Sequence, residues 1–344
     1  MKAMRFVEIG APLQLQEVPI PTAQPGWVVI RVEAAGICHT DNHILAGAQF
    51  ASSNGASLAS TPPLTLGHEV AGVITEIGSD VEGWYVGDRV VSGPMPPGLT
   101  LGAPGNTVDG GFAEYCAIPA QRLMPIPDGL PFEVAAVATD AINTSYSAVK
   151  VAGQVTSGLK VGIVGLGGLG LSGLATACYL GAQTYGVDVN PGTFASARRI
   201  GARECFTTIA ELGKVQPDVI VDFAGAGTTS YEAALALGFG GRLVIVGMET
   251  KSASLDTYDL ILGEKTVVGS HGGSPGTLSE VFTALQDGYL APNVTEVPLT
   301  ELNDALDRLK SRTSNGQRYF TRPGFNGTGD DSAQAPSAKG GVAP

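Results

Sequence analysis

A short apolar run from Lys160 to Val164 ends in Gly165-Leu166-Gly167-Gly168-Leu169-Gly170 and opens an Ala-rich stretch; the next apolar run ends at Asp188, 18 residues beyond Gly170. No other pattern in the chain limits the fold as much. Glycines at this spacing let a backbone approach a pyrophosphate at a helix N-terminus, and an acid about 20 residues on accepts hydrogen bonds from the adenosine ribose. Apolar runs beginning near 160, 184, 217 and 242 alternate with helical stretches near 173, 193 and 231, and the rhythm lasts to about residue 285. This alternation predicts an α/β unit, a doubly wound parallel sheet with helices on both faces. The Asp188 carboxylate repels a 2'-phosphate, and Val189, Asn190, Pro191 and Gly192 supply no cation to rescue one. NAD is therefore expected over NADP, with Arg198 and Arg199 the nearest cations.

The first 125 or so residues have a different texture. Val and Ile runs such as Trp27 to Val32 and Val70 to Ile74 are cut by Pro and Gly, which predicts short antiparallel strands with many turns. This half carries Gly36-Ile37-Cys38-His39-Thr40-Asp41-Asn42-His43 and, further on, Gly67-His68-Glu69, so three of the four histidines and one of the four cysteines fall within 33 residues. A thiolate and a neutral imidazole are ligands that a catalytic zinc takes, and such a site needs only three protein ligands because the fourth position serves water or substrate. The Ser-rich stretch from Ala46 to Pro63 is long enough for a lid or pocket wall. Phe50 and Leu58 in it, together with Trp84 or Tyr85 and His271, are expected to shape the pocket.

A chain of 344 residues exceeds what one core usually organises, so two domains are expected. Its net charge of −12 repels nucleic acid and anionic membrane surfaces alike. The start MKAMRFVEIG lacks the apolar segment of a signal peptide, no apolar stretch reaches the ~20 residues that cross a bilayer, and Cys38, Cys116, Cys178 and Cys205 are scattered. Together these features point to a soluble enzyme with reduced thiols in the cytoplasm.

The motifs G-I-C-H-T-D at 36–41, G-H-E at 67–69, G-D-R-V at 87–90, D-G-G-F-A-E-Y at 109–115 and G-L-G-G-L-G at 165–170 occur in one order along the chain. With them the chain resembles the zinc-dependent medium-chain alcohol dehydrogenases from Met1 to about Pro323. The resemblance implies a GroES-like, strand-rich catalytic domain from 1–141 and 286–323 and a Rossmann NAD-binding domain over 142–285. A tail over 324–344, rich in Gly, Ser, Ala and Asp, is expected to be disordered. The resemblance further implies an active site in the interdomain cleft and a homodimer or homotetramer.

Site roles follow from the same resemblance. Cys38 and His68 match two zinc ligands, and Asp140 stands where the third, usually a Cys, is found. A carboxylate oxygen binds zinc at about the distance of an imidazole nitrogen, so the exchange is chemically acceptable. Glu69 is a further candidate, as a transient ligand or as an acceptor behind the ligands. Thr40 matches the hydroxyl that meets the alcohol oxygen, and His43 the histidine that ends the proton relay. Asp41 matches the carboxylate that orients the zinc-bound histidine, and His39 a pyrophosphate contact. Gly165, Gly167, Gly168, Leu169, Gly170, Asp188, Asn190 and Arg318 are the expected cofactor-binding residues.

Zinc lowers the pKa of bound water from ~15.7 to ~7, and an alcohol in the same place shifts the same way, so that hydride passes from its alkoxide to the nicotinamide. The implied substrate is a small-molecule primary or secondary alcohol, or the corresponding aldehyde or ketone. Many members carry four closely spaced cysteines after G-D-R-V for a structural zinc, whereas Val91 to Asn106 here contains none, so one zinc is expected and not two. Two other readings stay open: a zinc-free, NADPH-dependent quinone or enoyl reductase of the same superfamily, and a dinucleotide-binding relative without turnover.

Overall fold

The computed structural model describes residues 1–48, 50–51, 57–58, 60–94, 102–311 and 317–324. Residues 49, 52–56 and 59 of the expected pocket-wall loop, residues 95–101 of the cysteine-free stretch and the tail after Gly324 lie outside that set.

The second half forms a six-stranded sheet of parallel pairs, in the order Glu204–Phe206, Gln183–Val187, Lys160–Val164, Val219–Asp222, Arg242–Ile245, Thr266–Gly269. Numbered along the chain this is 3-2-1-4-5-6, the doubly wound order, which opens a crevice where the first and fourth strands part. Val161, Ile163, Ile220, Val221, Leu243 and Val244 are fully buried because helices cover both faces. The helices Gly168–Tyr179, Phe194–Ile200 and Thr229–Ala236 stand where the Ala-rich stretches predicted them. The alternation read from the sequence thus corresponds to the sheet, apart from the three-residue edge strand Glu204–Phe206 and the short helix Ile209–Gly213 that follows it.

The first half is antiparallel. Its central strand, Trp27–Ile37, pairs with Glu69–Ile77, Tyr115–Pro119 and Arg318–Thr321. The last of these comes from the C-terminal segment, so the chain returns to the strand-rich half after completing the parallel sheet. Helix Leu302–Lys310 precedes this strand, with Leu302, Ala305, Leu306 and Leu309 buried at the 3- and 4-residue spacing of an amphipathic helix. One core beneath these elements gathers Phe6, Ile30, Leu66, Ile74, Phe112 and Ile118. Another joins the halves by packing Ala34, Ala71 and Phe320 with Ile142, Tyr146, Leu278 and Phe282.

Candidate active site

Cys38 follows the central strand and caps the helix His39–Leu45. Its backbone N–H donates to Asp41 Oδ2 at 3.0 Å, which places a carboxylate in the first turn, where the helix dipole favours it. Asp41 is fully buried, and its other oxygen lies 3.4 Å from Nδ1 of His68. Neither of those two atoms has a hydrogen-bond partner. His68 stands just before the strand Glu69–Ile77, which pairs Glu69 opposite Gly36. A side chain at Gly36 would put its Cβ 1.9 Å from Glu69 Oε2, so the glycine is required for that carboxylate to pack there.

Asp140 arrives from far along the chain, on a π-helical turn, Ala138–Ile142, between two short α-helices. Its Oδ2 lies 3.2 Å from His68 Nε2 and 3.8 Å from Cys38 Sγ, while its Oδ1 accepts from the Thr144 hydroxyl at 2.7 Å. One ligand-type atom from each of Cys38, His68, Glu69 and Asp140 falls within 4.8 Å of the others. Tetrahedral zinc with ordinary bond lengths separates nitrogen and oxygen ligands by about 3.3 Å and sulfur and oxygen by about 3.5 Å. The measured separations match to within a few tenths of an ångström. A thiolate, an imidazole and a carboxylate form a donor set that suits zinc, and with Nε2 serving a metal the Nδ1 proton would face Asp41 Oδ1, its acceptor.

Burial pushes the Cys38 thiol up despite the hydrogen bond and charge of His68. Burial and the charge of Asp140 raise Glu69 to about 8, against the pull of His68 and Arg318. For Asp140, burial acts upward but is outweighed by the hydrogen bond and charge of His68 and by Thr144, which together bring it down to about 2. His68 is held well above its usual value against burial, chiefly by Asp41 and Asp140.

A cleft of about 1550 Å³ runs from this cluster to the parallel sheet. Its lining includes Cys38, His39, Thr40, His43, His68, Glu69 and Asp140 at one end and Gly165, Gly167 to Gly170, Asp188 and Asn190 at the other, with Arg318 also among its residues. Thr40 Oγ1 lies 3.6 Å from Cys38 Sγ, and His39 and His43 fall one turn apart on the same short helix with ring centres 6.4 Å apart. A Cβ at Gly170 would lie 1.7 Å from the Gly165 carbonyl oxygen, whereas Gly167 has open space beside it, so one glycine serves packing and the other access. Asp188 accepts from Leu166 N–H at 2.7 Å and from Asn190 N–H at 2.8 Å, which fastens the glycine loop. The Arg318 guanidinium reaches the Gly168 carbonyl and the Ser172 hydroxyl.

Residues 24–128 match the alcohol dehydrogenase GroES-like domain, and residues 168–287 match the zinc-binding dehydrogenase domain. An alcohol dehydrogenase of Geobacillus stearothermophilus is 32% identical over 92% of this chain and 98% of its own length. The chain belongs to the zinc-type medium-chain dehydrogenase/reductase family. An NAD-dependent alcohol dehydrogenase of Sulfurisphaera tokodaii is 30% identical over 93% of this chain and 99% of that one. The crystal structure of an alcohol dehydrogenase from Aeropyrum pernix superposes with a TM-score of 0.84 at 29% identity, covering 94% of this chain and all of the other. As a member of this dehydrogenase/reductase family, the protein is an oxidoreductase.

Two expectations about the pocket wall are corrected in this dehydrogenase. Trp84 packs on the core of the strand-rich half and Tyr85 is 71% exposed, and neither lines the cleft, although His271 does. The physical reason is distance along a strand: Glu69–Ile77 starts beside His68 and carries the chain about 30 Å before these aromatics.

Sequence reasoning also missed the residues that tie the Asp140 helix down. Thr144 holds Asp140, Ser145 donates to the Leu169 carbonyl at 2.8 Å, and Asn143 accepts from Thr277 at 2.7 Å. The backbone N–H of Ala141 donates to Glu69 at 3.2 Å. The i, i+4 spacing of Asp140 and Thr144 was the one local signal available, since such positions neighbour on a helix. Asp222 was missed as well: it is fully buried, ends the fourth strand of the parallel sheet, and accepts from Ala224, Gly225, Thr229 and Ser230.

Proposed function

We propose that the protein is an NAD-dependent alcohol dehydrogenase in which Cys38, His68 and Asp140 hold one catalytic zinc, and that it interconverts a small primary or secondary alcohol with its aldehyde or ketone. The observation that carries this reading is the convergence of a thiolate, an imidazole and a carboxylate at one end of a cleft whose other end is a glycine loop fastened by an acid. When bound, zinc polarises the alcohol oxygen so that its proton leaves near neutral pH, and NAD along the glycine loop accepts the hydride.

The residues of the chain do the remaining work. Asp41 orients the His68 ring and keeps its proton on Nδ1. Glu69 holds the Ala141 N–H and so sets where the Asp140 turn approaches. The Thr40 hydroxyl, beside the thiolate, takes the alcohol proton and passes it toward His43 at the wall of the cleft. Gly165 to Gly170 and Arg318 receive the pyrophosphate with His39, and Asp188 with Asn190 receives the ribose and selects NAD over NADP.

The protein is further proposed to be a homo-oligomer. Thr266–Gly269 is an edge strand paired on one side only, and the preceding helix Thr257–Leu262 leaves Tyr258, Ile261 and Leu262 more than 70% exposed. Gly240 donates to the Gly263 carbonyl at 2.8 Å, which brings the exposed Phe239 into the same patch. All four cysteines are free thiols, and this supports a reducing, cytoplasmic setting. Among the described residues no helix is long and apolar enough to cross a membrane.

Metal analysis of the purified protein with an alcohol and carbonyl panel tests the reading. About one zinc per chain with NAD reduction is expected. Full activity without metal would favour the zinc-free reductase, and absence of hydride transfer to either nicotinamide would favour a binding protein.

A further inference from the structure

Three glycines meet backbone to backbone directly behind His68. A Cβ on Gly105 would lie 2.6 Å from the Gly67 carbonyl carbon and 2.8 Å from the His68 nitrogen, and a Cβ on Gly110 would lie 2.3 Å from the Gly67 oxygen. Gly67 itself has φ +90°, and Phe112 covers its remaining face, 2.6 Å from where a Cβ would stand. No side chain larger than hydrogen fits at Gly105 or Gly110 without moving backbone, and a Cβ at Gly67 would meet the Phe112 ring.

The contact is held by a short ladder. Gly110 N–H donates to the Thr65 carbonyl at 2.8 Å, Phe112 N–H to the Leu66 carbonyl at 3.0 Å and Gly111 N–H to the Gly67 carbonyl at 2.8 Å. Asp109 fastens it, since Oδ1 accepts from the Thr65 N–H at 2.7 Å and from Arg5 at 2.5 Å. The far side of the same loop turns back on itself, with Gly105 N–H on the Val108 carbonyl, and Ala103, Pro104 and Asn106 form part of the cleft wall.

We propose that residues 102–112 are a positioning device for the His68 ligand, with Gly105 and Gly110 as its contact residues and Asp109 as its fastening. A metal site tolerates ligand displacements of only ~0.2 Å, and the room for a methyl group against the Gly67–His68 peptide is short by far more than that. A four-cysteine zinc site cannot do the holding, because residues 91–112 contain no cysteine. The loop therefore acts on zinc through the backbone of His68 and touches neither zinc nor substrate there. This inference rests on the reading of Cys38, His68 and Asp140 as zinc ligands.

The test uses the full chain, stripped with a chelator and reloaded, with zinc affinity measured by competition against a chromophoric chelator. The visible spectrum of the cobalt(II)-loaded protein reports the ligand geometry. Gly105→Ala and Gly110→Ala are expected to weaken zinc binding at least about tenfold, as loss of outer support does at other metal sites. They are also expected to shift the cobalt bands and lower kcat while leaving NADH binding intact. Gly83→Ala is the control for the backbone cost at Gly105, which has φ +73°, because Gly83 has φ +77° with nothing within 4 Å, so a methyl group there meets that cost without the contact. Glycine variants that bind zinc as tightly as Gly83→Ala would overturn the proposal. If neither glycine variant folds, judged by NADH binding, Asp109→Ala decides, since it removes the oxygen that accepts from Thr65 and Arg5: zinc affinity weakened about tenfold supports the proposal, and unchanged affinity overturns it. A parental chain that takes up no zinc would instead sink the ligand reading, and the inference with it.

Discussion

Asp140 is the residue on which the proposed chemistry turns. Its Oδ2 faces both Cys38 and His68, and its Oδ1 is held by Thr144. Removing it by Asp140→Ala leaves two donors, and zinc loss with at least a roughly thousandfold fall in kcat/KM is expected. Asp140→Cys supplies a softer ligand of the proper valence, so zinc stoichiometry near one per chain should survive. Thr144→Val removes a charge-assisted hydrogen bond of about 1.5–3 kcal/mol, which predicts zinc binding weakened by roughly 10- to 150-fold with unchanged NAD affinity. Asp188 has two duties, the loop N–H of Leu166 and the expected ribose contact. Asp188→Ser should therefore raise the KM for NAD about tenfold or more while raising the NADP to NAD activity ratio, read from initial rates with both cofactors. A ratio that stays the same would show that the carboxylate does not select the cofactor.

Elements that repeat a period were plain in the sequence, and elements set by single contacts were not. The alternation of Lys160–Val164, Gly168–Tyr179 and Gln183–Val187 shows because buried parallel strands and covering helices have opposite compositions. Strand Glu204–Phe206 shows no such pattern, since three residues at a sheet edge are too few for one. The π-helical turn that presents Asp140 was hidden for another reason: π-bulges carry no composition of their own and arise where packing requires them. At the glycine loop the element is fragile in a defined way. Gly170→Ala would drive a methyl group into the Gly165 carbonyl, and NADH binding measured by fluorescence is expected to weaken at least about tenfold. Binding equal to the parent would mean that the loop relaxes around an added Cβ.

The whole molecule is a cleft between two halves that share a core, and the proposed zinc joins three separate stretches of one wall of that cleft. Ligand binding to the native state alone stabilises it by about 4 kcal/mol at a free concentration a thousandfold above Kd. Chelation should accordingly lower the midpoint of thermal unfolding by on the order of 10 °C, with far-ultraviolet circular dichroism at 25 °C unchanged. A midpoint indifferent to chelator would remove the metal from the account of stability. The exposed patch of Phe239, Tyr258, Ile261 and Leu262 belongs to this scale too. Ile261→Glu is expected to shift sedimentation from oligomer toward monomer, and a parental chain that already sediments as a monomer would dispose of the assembly proposal.

Fold class, the glycine loop with its acid and the neighbourhood of Cys38 and His68 were all legible in the residues alone, because each depends on residues close together in the chain and on periods that survive unfolding. The sequence also placed Asp140 by resemblance. Only the tertiary structure could bring Asp140 Oδ2 to 3.2 Å from His68, across 72 residues of chain. Only there do Thr144, Ser145 and Asn143 gain partners, and only there do Gly105 and Gly110 close on the Gly67–His68 peptide. Such contacts depend on two backbones meeting at a distance set by everything packed between them, and no local pattern of residue types encodes that distance.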